Sequence, residues 1–183
     1  MSVIKSTKQQ YNNSLPKLQK ELKLDNVMLV PRIEKIVVNT GIGKFIKNKE
    51  ALAEVEAGLR DITGQQPIKT KSKKSISGFK VREGQDVGMK VTLHGQRMWD
   101  FVDRLVSIAL PRVRDFHGIE VGVIDDSGNL NIGIREHMIF PEIVAENVKN
   151  SFSFQITVVS TADNRESGEA LYRVLGFPLQ KEE

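Results

Sequence analysis

Apolar residues recur with two different periods in this chain, and the order of these periods constrains its fold. From Val87 to Leu93 every second residue is apolar, and Lys90 and Thr92 lie between them. This alternation predicts a β-strand with one packed face and one open polar face. Between Leu52 and Ile62 the apolar residues recur every three or four positions, which predicts an amphipathic helix closed by Gly64.

The other segments carry one period or the other. Helical spacing predicts an N-terminal amphipathic helix within residues 1–23 and a helix from Met98 towards Pro111. A last helix is predicted to begin with the capping pair Asp163 and Glu166 and to end at Gly176. Apolar runs predict strands over 33–39, over 152–158, and over 119–124 and 130–134 as a hairpin around the turn 125–128.

Strands and helices therefore mix without a regular βαβ repeat, which favours the α+β class. No Pro, Gly or Ser-rich linker and no repeat divides the 183 residues, so we expect a single domain over 1–183. The absence of cysteine excludes disulfides and thiolate chemistry and fits a cytoplasmic protein. No apolar run approaches the roughly 20 residues that span a bilayer, so we expect no membrane partner.

Positive charge is concentrated in one stretch, although the net charge of the chain is only +4. Residues 69–90 carry seven positive side chains against two acidic ones, Glu83 and Asp86. The seven are Lys69, Lys71, Lys73, Lys74, Lys80, Arg82 and Lys90. A second basic cluster near the N-terminus consists of Lys5, Lys8, Lys17, Lys20 and Lys23. This placement indicates a polyanionic partner.

The patterns of nucleotide sites fail on required residues. Gly41, Gly43 and Lys44 follow a predicted strand, but a phosphate-binding loop needs glycine in place of Val38 and a hydroxyl in place of Phe45. We interpret the glycines as a tight turn out of the strand.

Catalytic and metal patterns fail in the same way. The histidines are far apart, without the spacing of metal ligands, and we expect them to be surface or half-buried polar residues. They are His94, His117 and His137. Asp125 and Asp126 have turn-forming neighbours that account for them, and no serine lies in a nucleophile elbow. We predict no enzyme, no metal, no cofactor and no small-molecule substrate.

The basic stretch combines three features that phosphate recognition uses. Its lysines and Arg82 attract the RNA or DNA backbone, the hydroxyls of Ser72, Ser75 and Ser77 can donate to phosphate oxygens, and its glycines allow close approach. Phe79 can stack on a base or ribose. Composition alone leaves two interpretations open, a nucleic-acid contact and a solvated charged loop.

Several longer motifs, in order along the chain, resemble one family. They are Val30-Pro-Arg-Ile-Glu-Lys-Ile, Asn39-Thr-Gly-Ile-Gly, Ile62-Thr-Gly-Gln-Gln-Pro, Lys73-Lys-Ser-Ile-Ser-Gly-Phe-Lys-Val-Arg, Lys90-Val-Thr-Leu, Gly95-Gln-Arg-Met-Trp, Leu110-Pro-Arg-Val-Arg-Asp-Phe and Gly133-Ile-Arg-Glu-His-Met-Ile-Phe-Pro-Glu. Together they resemble the bacterial large-subunit ribosomal protein L five family, which attaches 5S ribosomal RNA (rRNA) in the central protuberance. The resemblance extends from about residue 27 to Pro178.

The resemblance implies a fold and an rRNA site. The fold is an antiparallel sheet with helices packed on one face and an extended basic loop over 70–88. By motif, the contacts with 5S rRNA fall on Asn39, Gln65 and Thr92, to which we add Lys90 and Gly41. Local turn capping is the alternative explanation for Asn39 and Gln65.

The resemblance also implies a contact with transfer RNA in the peptidyl (P) site and a bridge to a head protein of the small subunit. The basic loop makes the transfer RNA contact, and its lysines are expected to be flexible when free and ordered by RNA. Its contacting residues are Lys71, Lys73, Lys74, Ser75, Ser77, Gly78, Phe79, Lys80 and Arg82. His94 stands where many relatives carry arginine, and residues 144–153 match the family pattern poorly.

The expected partners are thus 5S rRNA, P-site transfer RNA and neighbouring ribosomal proteins of both subunits. The alternative function is a free-standing RNA chaperone or regulator that uses the same sheet and loop.

Overall fold

The computed structural model describes residues 6–46, 48–114, 116–144 and 148–180. Its helices are α1 Thr7–Glu21, α2 Lys49–Thr63, α3 Gly95–Arg104 and α4 Arg165–Val174. Its strands are β1 Ile33–Gly41, β2 Ile68–Lys71, β3 Asp86–Leu93, β4 Leu130–Ile134 and β5 Phe154–Ser160. The strands form one antiparallel sheet in the order β2-β3-β1-β5-β4. The predicted α+β class is confirmed.

Two compact units make up the chain. The first contains Met1–Ile36, His94–Ile132 and Thr157–Glu183, and the second contains Val37–Leu93 and Gly133–Ile156. The single domain expected from the sequence stays a prediction.

In the first unit, α1 packs on α3 and α4. Leu18 on the apolar stripe of α1 is fully buried, and the ring of Tyr11 lies 5.8 Å from that of Trp99. The amide of Thr7 donates to Asp103 Oδ1 at 2.6 Å, so the first turn of α1 is fixed to α3. Pro16 lies inside α1 without ending it. Lys5 and the other residues at the start of the predicted 1–23 helix are outside the described part.

In the second unit, α2 packs on β3. The side chain of Asn48 caps the start of α2 by accepting from the amides of Glu50 and Ala51. Gly64 ends the helix with a φ of +68°, as its position predicted. The apolar faces of the two elements are buried at Val55, Leu59 and Ile62 on α2 and at Met89, Val91 and Leu93 on β3.

One arm of the predicted hairpin over 119–134 is wrong. The turn at 125–128 is present, and Asp125 donates its amide to the carbonyl of Asn129 at 2.9 Å. Val121–Val123, however, forms a 3-10 turn instead of a strand. The backbone of Ile119 bonds to Pro178 and Gln180 instead, so its hydrogen bonds are satisfied away from β4.

Two helix ends differ from their predictions. Asn164, not Asp163, caps α4, and its side chain forms a capping box with Ser167. The predicted pair was therefore displaced by one residue. Regular α-helix ends at Arg104, and the helical backbone continues as a π turn over Leu105–Ala109 and a 3-10 turn over Leu110–Arg112, the region in which Pro111 was expected to stop it.

Candidate nucleic-acid interface

The face of β3 that bears Lys90 and Thr92 is open. Met89, Val91 and Leu93 are at most 1% exposed, whereas Lys90 is exposed and Thr92 is half-buried. Because successive side chains on a strand point to opposite faces, Lys90 and Thr92 share the face that α2 does not cover. This is the polar face that the alternation predicted.

On β1, Asn39 and Gly41 are exposed and Thr40 between them is buried. Thr40 donates its hydroxyl to the carbonyl of Ser153 at 2.6 Å, which fixes the side of the strand on which Asn39 lies. β1 was predicted to end at Asn39 but continues to Gly41, so Gly41 belongs to the strand and the turn follows it. Asn39 does not cap a turn, since its side-chain amide makes no hydrogen bond within the described residues.

Gln65 lies next to Thr92. It follows the end of α2, and its Nε2 donates to the carbonyl oxygen of Thr92 at 3.2 Å. Thr63 fixes the turn by donating its hydroxyl to the carbonyls of Leu59 and Gln65 at 2.6 and 3.1 Å. The side chain of Gln65 thus makes a tertiary contact across 27 residues and not a local cap. Two of the three residues singled out for 5S rRNA are brought together.

The basic stretch is a β-hairpin, where the sequence predicted an extended loop over 70–88. β2 pairs with β3 from Ile68 opposite Lys90 to Lys71 opposite Asp86, so both ends of the predicted loop are strand. The pairing continues beyond the strands, because Ser72 donates its amide to Gln85 at 2.8 Å. We call residues 72–85 the hairpin arm. Near its tip, Ile76 and Val81 exchange backbone hydrogen bonds of 2.9 and 3.2 Å.

Cations on the arm and at its base are exposed. They are Lys71, Lys73, Lys74, Lys80 and Arg82. Within the part of the chain that the structure describes, none of them has a carboxylate at ion-pair distance. Lys69 at the start of β2 differs, because its Nζ lies 3.1 Å from Glu56 Oε2. The positive potential of the arm is therefore not neutralised by neighbouring acids.

The tip of the arm also presents apolar surface. Phe79 is 80% exposed and Ile76 is 48% exposed. Gly78 lies beside Phe79 in the 3-10 turn Ser77–Phe79, and Lys80 follows with a φ of +53°.

The serine hydroxyls of the arm differ in their availability. Ser72 donates to the carbonyl of Lys74 at 2.6 Å and Ser75 donates to that of Val81 at 3.2 Å. The prediction that all three serines can donate to phosphate therefore fails for two of them, because their hydrogens are used inside the arm. Ser77 makes no such bond among the described residues.

The residues considered for catalysis and metal binding have structural roles. Asp125 accepts from the amides of Ser127 and Asn129 and from the Asn129 side chain. Burial tends to raise the pKa of Asp125, but these hydrogen bonds lower it below its usual value. Within the described residues, no group of His, Asp or Glu side chains is arranged to hold a metal ion. No helix found there is long and apolar enough to cross a membrane.

His137 is 2% exposed, so the expectation of a surface or half-buried histidine is wrong for this residue. Its ring stacks on Phe152 at 4.1 Å, and its Nδ1 accepts from the Phe152 amide at 3.4 Å. Burial lowers the pKa of His137, against the opposing effect of the Glu54 carboxylate. His94 and His117 are exposed.

Sequence reasoning did not single out Thr70 or the strand that contains it. β2 has only four residues, and lysines on both sides of Thr70 hide its alternation. The signal that could have identified β2 is its position directly before a basic segment that returns to a clear strand.

Family comparisons cover nearly the whole chain. The family model described as "Ribosomal protein L5" matches residues 26–82, and a second model, described as the C-terminus of the same ribosomal family, matches residues 86–179. Among curated relatives, each described as "Large ribosomal subunit protein uL5", the Ureaplasma urealyticum protein is 49% identical over 172 residues, covering 93% of this chain and 94% of the relative. The Streptococcus thermophilus protein is 45% identical over 175 residues, and the Dehalococcoides mccartyi protein is 42% identical over 174 residues; both cover 95% of this chain and 97% of the relative.

Proposed function

The chain belongs to the ribosomal protein L5 family, and we propose that it binds 5S rRNA through the open face of β1 and β3 and contacts P-site transfer RNA through the hairpin arm. As a family member it is a structural constituent of the large ribosomal subunit and not an enzyme. Its partners include ribosomal RNA and ribosomal proteins, and its location is the ribosome, which is cytoplasmic in bacteria.

One observation carries the 5S rRNA proposal: polar groups on the open face that are not used inside the protein. The amide of Asn39 and the hydroxyl of Thr92 have no hydrogen-bond partner among the described residues. Lys90 adds an exposed charge, and Gly41 leaves the edge of the face without a side chain. Gln65 supports the face from below Thr92. Neutral donors and acceptors beside a phosphate-binding cation suit shape-directed RNA recognition.

The 5S rRNA site is tested by single substitutions. Asn39→Ala, Gln65→Ala and Thr92→Ala should each weaken binding of purified 5S rRNA by about 1 kcal/mol, the usual net value of one hydrogen bond. Asn39→Ala is the cleanest variant because its side chain bonds to no described protein group. If all three variants bound 5S rRNA as the parent does, the RNA would lie on another face.

The transfer RNA proposal rests on the exposed cations of the arm and on Phe79 at its tip. The contacting residues are Lys71, Lys73, Lys74, Ser75, Ser77, Gly78, Phe79, Lys80 and Arg82. Lysine and arginine attract the phosphate backbone without sequence preference, and an exposed aromatic ring can stack on a base or ribose. The pairing of Ile76 with Val81 closes the tip, so the arm has local order that a bound RNA would complete.

A charge-matched experiment tests this division between face and arm. Neutralising Lys71, Lys73 and Lys74 together should leave binding of isolated 5S rRNA largely intact and reduce P-site transfer RNA binding by ribosomes that carry the variant. Neutralising the exposed Lys8, Lys17 and Lys20 of α1 removes the same charge elsewhere and serves as the control. Loss of 5S rRNA binding in the arm variant alone would contradict the division.

Contacts with neighbouring ribosomal proteins, including a bridge to a head protein of the small subunit, complete the proposal. A free-standing RNA chaperone or regulator is the alternative role of the same surfaces. Sedimentation of tagged protein from a lysate separates the two, because a ribosomal constituent should travel almost entirely with large particles. A mainly free pool would favour the alternative.

A further inference from the structure

Thr70 on β2 has an unusual hydroxyl for a threonine of this chain. Five of the seven threonine hydroxyls are engaged inside the protein: Thr7 with Asp103, Thr40 with Ser153, Thr63 with Leu59, Thr157 with Asn131, and Thr161 with the amide of Arg32. Among the described residues, the hydroxyls of Thr70 and Thr92 have no hydrogen-bond partner. These two are the threonines available to a ligand.

Thr70 is directly opposite Gly88 in the pairing of β2 with β3, and Lys90 is opposite Ile68. Residues 88, 90 and 92 share one face of β3 because side chains alternate along a strand. The free hydroxyls of Thr70 and Thr92 therefore lie on the same face as Lys90. This is the face to which we assign 5S rRNA.

Gly88 makes a gap on this face. A Cβ placed on Gly88 would lie 2.8 Å from Thr70 Oγ1, 3.0 Å from the carbonyl oxygen of Thr40 and 4.0 Å from Asn39 Oδ1. The hydroxyl of Thr70 and the amide oxygen of Asn39 thus border one small space above β3, on β2 and β1 respectively. Neither group is used within the described part of the protein.

We infer that this gap receives a ribose 2′-hydroxyl of the RNA, and that Thr70 is a further RNA-contacting residue. The inference rests on the proposed 5S rRNA site. The ligand group must donate a hydrogen bond to Asn39 Oδ1, which can only accept, and it can accept one from Thr70. A phosphodiester oxygen has no hydrogen to donate, whereas a 2′-hydroxyl both donates and accepts. Gly88 is required because any side chain there would fill the space.

Thr70→Val tests the contact with little change of shape. Valine keeps the branched side chain that suits a strand, and no described protein group loses a hydrogen bond, so the thermal unfolding temperature should stay close to that of the parent. Affinity for 5S rRNA should fall about threefold to tenfold, the loss expected for one hydrogen bond. Thr70→Ser keeps the hydroxyl and should retain most of the affinity. Unchanged affinity of the valine variant, or an equal loss in the serine variant, would overturn the inference.

The 2′-hydroxyl is tested by interference mapping with pools of 5S rRNA that carry scattered 2′-deoxy positions. At least one position should interfere with binding to the parent protein and no longer interfere with Thr70→Val, since the partner hydroxyl is gone. Identical interference patterns for both proteins would overturn the assignment.

The failure of this inference differs from failure of the 5S rRNA site itself. If Asn39→Ala and Thr92→Ala weaken binding while Thr70→Val does not, the site stands and Thr70 lies outside it. If none of the three affects binding, the site itself is misplaced.

Discussion

Lys90→Gln and Thr92→Val should weaken 5S rRNA binding in two physically different ways, although the two residues lie on one face of the same strand. Lys90 is exposed and Thr92 makes no side-chain hydrogen bond with described residues. Neither substitution breaks an interaction inside the protein, so each should change the free energy of unfolding by no more than about 0.5 kcal/mol. Changes in RNA affinity can then be attributed to the contact itself.

The magnitudes follow from the type of contact. A lysine on a phosphate releases counterions, so removing it should reduce the slope of log K against log salt concentration by about 0.7 to 0.9. Such a change weakens binding about sixfold at 0.1 M salt and less than about twofold at 0.5 M salt. The hydroxyl of Thr92 carries no charge, and its loss of about 1 kcal/mol, or roughly fivefold, should be the same at both salt concentrations.

The measurement is a titration of 5S rRNA with each purified variant at four or more salt concentrations. Lys17→Gln on α1 removes an equal charge from an exposed position outside the proposed face and should leave the slope unchanged. A loss for Lys90→Gln that does not depend on salt would show that Lys90 touches no phosphate. A changed slope for Thr92→Val would refute the argument for a neutral contact.

Three further predictions concern the stability of each unit. The hydroxyl of Tyr172 donates to the buried carbonyls of Gly128 and Val158 at 2.9 and 3.1 Å, so Tyr172→Phe should lower the free energy of unfolding by about 1 to 3 kcal/mol in urea titrations. Glu54 accepts from the amides of Lys149 and Asn150 and from the Asn150 side chain; burial tends to raise its pKa, but these bonds lower it below its ordinary value of 4.5. Its stabilisation is therefore present above pH 4.5 and lost as pH falls through the lowered value, and Glu54→Gln should remove this acid dependence at a cost of about 1 kcal/mol at neutral pH. Burial lowers the pKa of His137 below 6.5, so the unfolded chain takes up a proton first and stability should begin to fall as pH drops below about 6.5, a decline that thermal unfolding across pH would detect and that should be absent in His137→Phe.

The long periodic segments of the fold could be predicted from the sequence, and the short ones could not. The apolar stripe of α2 and its closing Gly64 specify that helix locally, so its bounds follow from the residues. β2 has no such signal, because its four residues are three-quarters polar and become a strand only by pairing with β3. The segment 119–124 shows the opposite error. Its apolar residues suit a strand, but a tertiary pairing with residues 178–180 satisfies the backbone of Ile119 first.

The candidate site divides in the same way. Alternation along β3 was enough to predict that Lys90 and Thr92 share an open face, since this property depends on one strand alone. The contact of Gln65 with Thr92 joins residues 27 positions apart, and the gap bordered by Thr70 and Asn39 requires three neighbouring strands. Neither could follow from spacing, because each depends on which strands pair and in which register.

Charge and specificity are expected to lie on different parts of this molecule. The arm carries cations that any phosphate backbone would attract, so the arm alone could not distinguish one RNA from another. Discrimination requires groups that lose a hydrogen bond when the wrong partner binds, and such groups must be unused inside the protein. The structure provides them where the local charge is low, at Asn39, Thr70 and Thr92. If the proposed sites are correct, removing charge from the arm should weaken all RNA binding alike, whereas removing one of these neutral groups should reduce the preference for 5S rRNA over unrelated RNA.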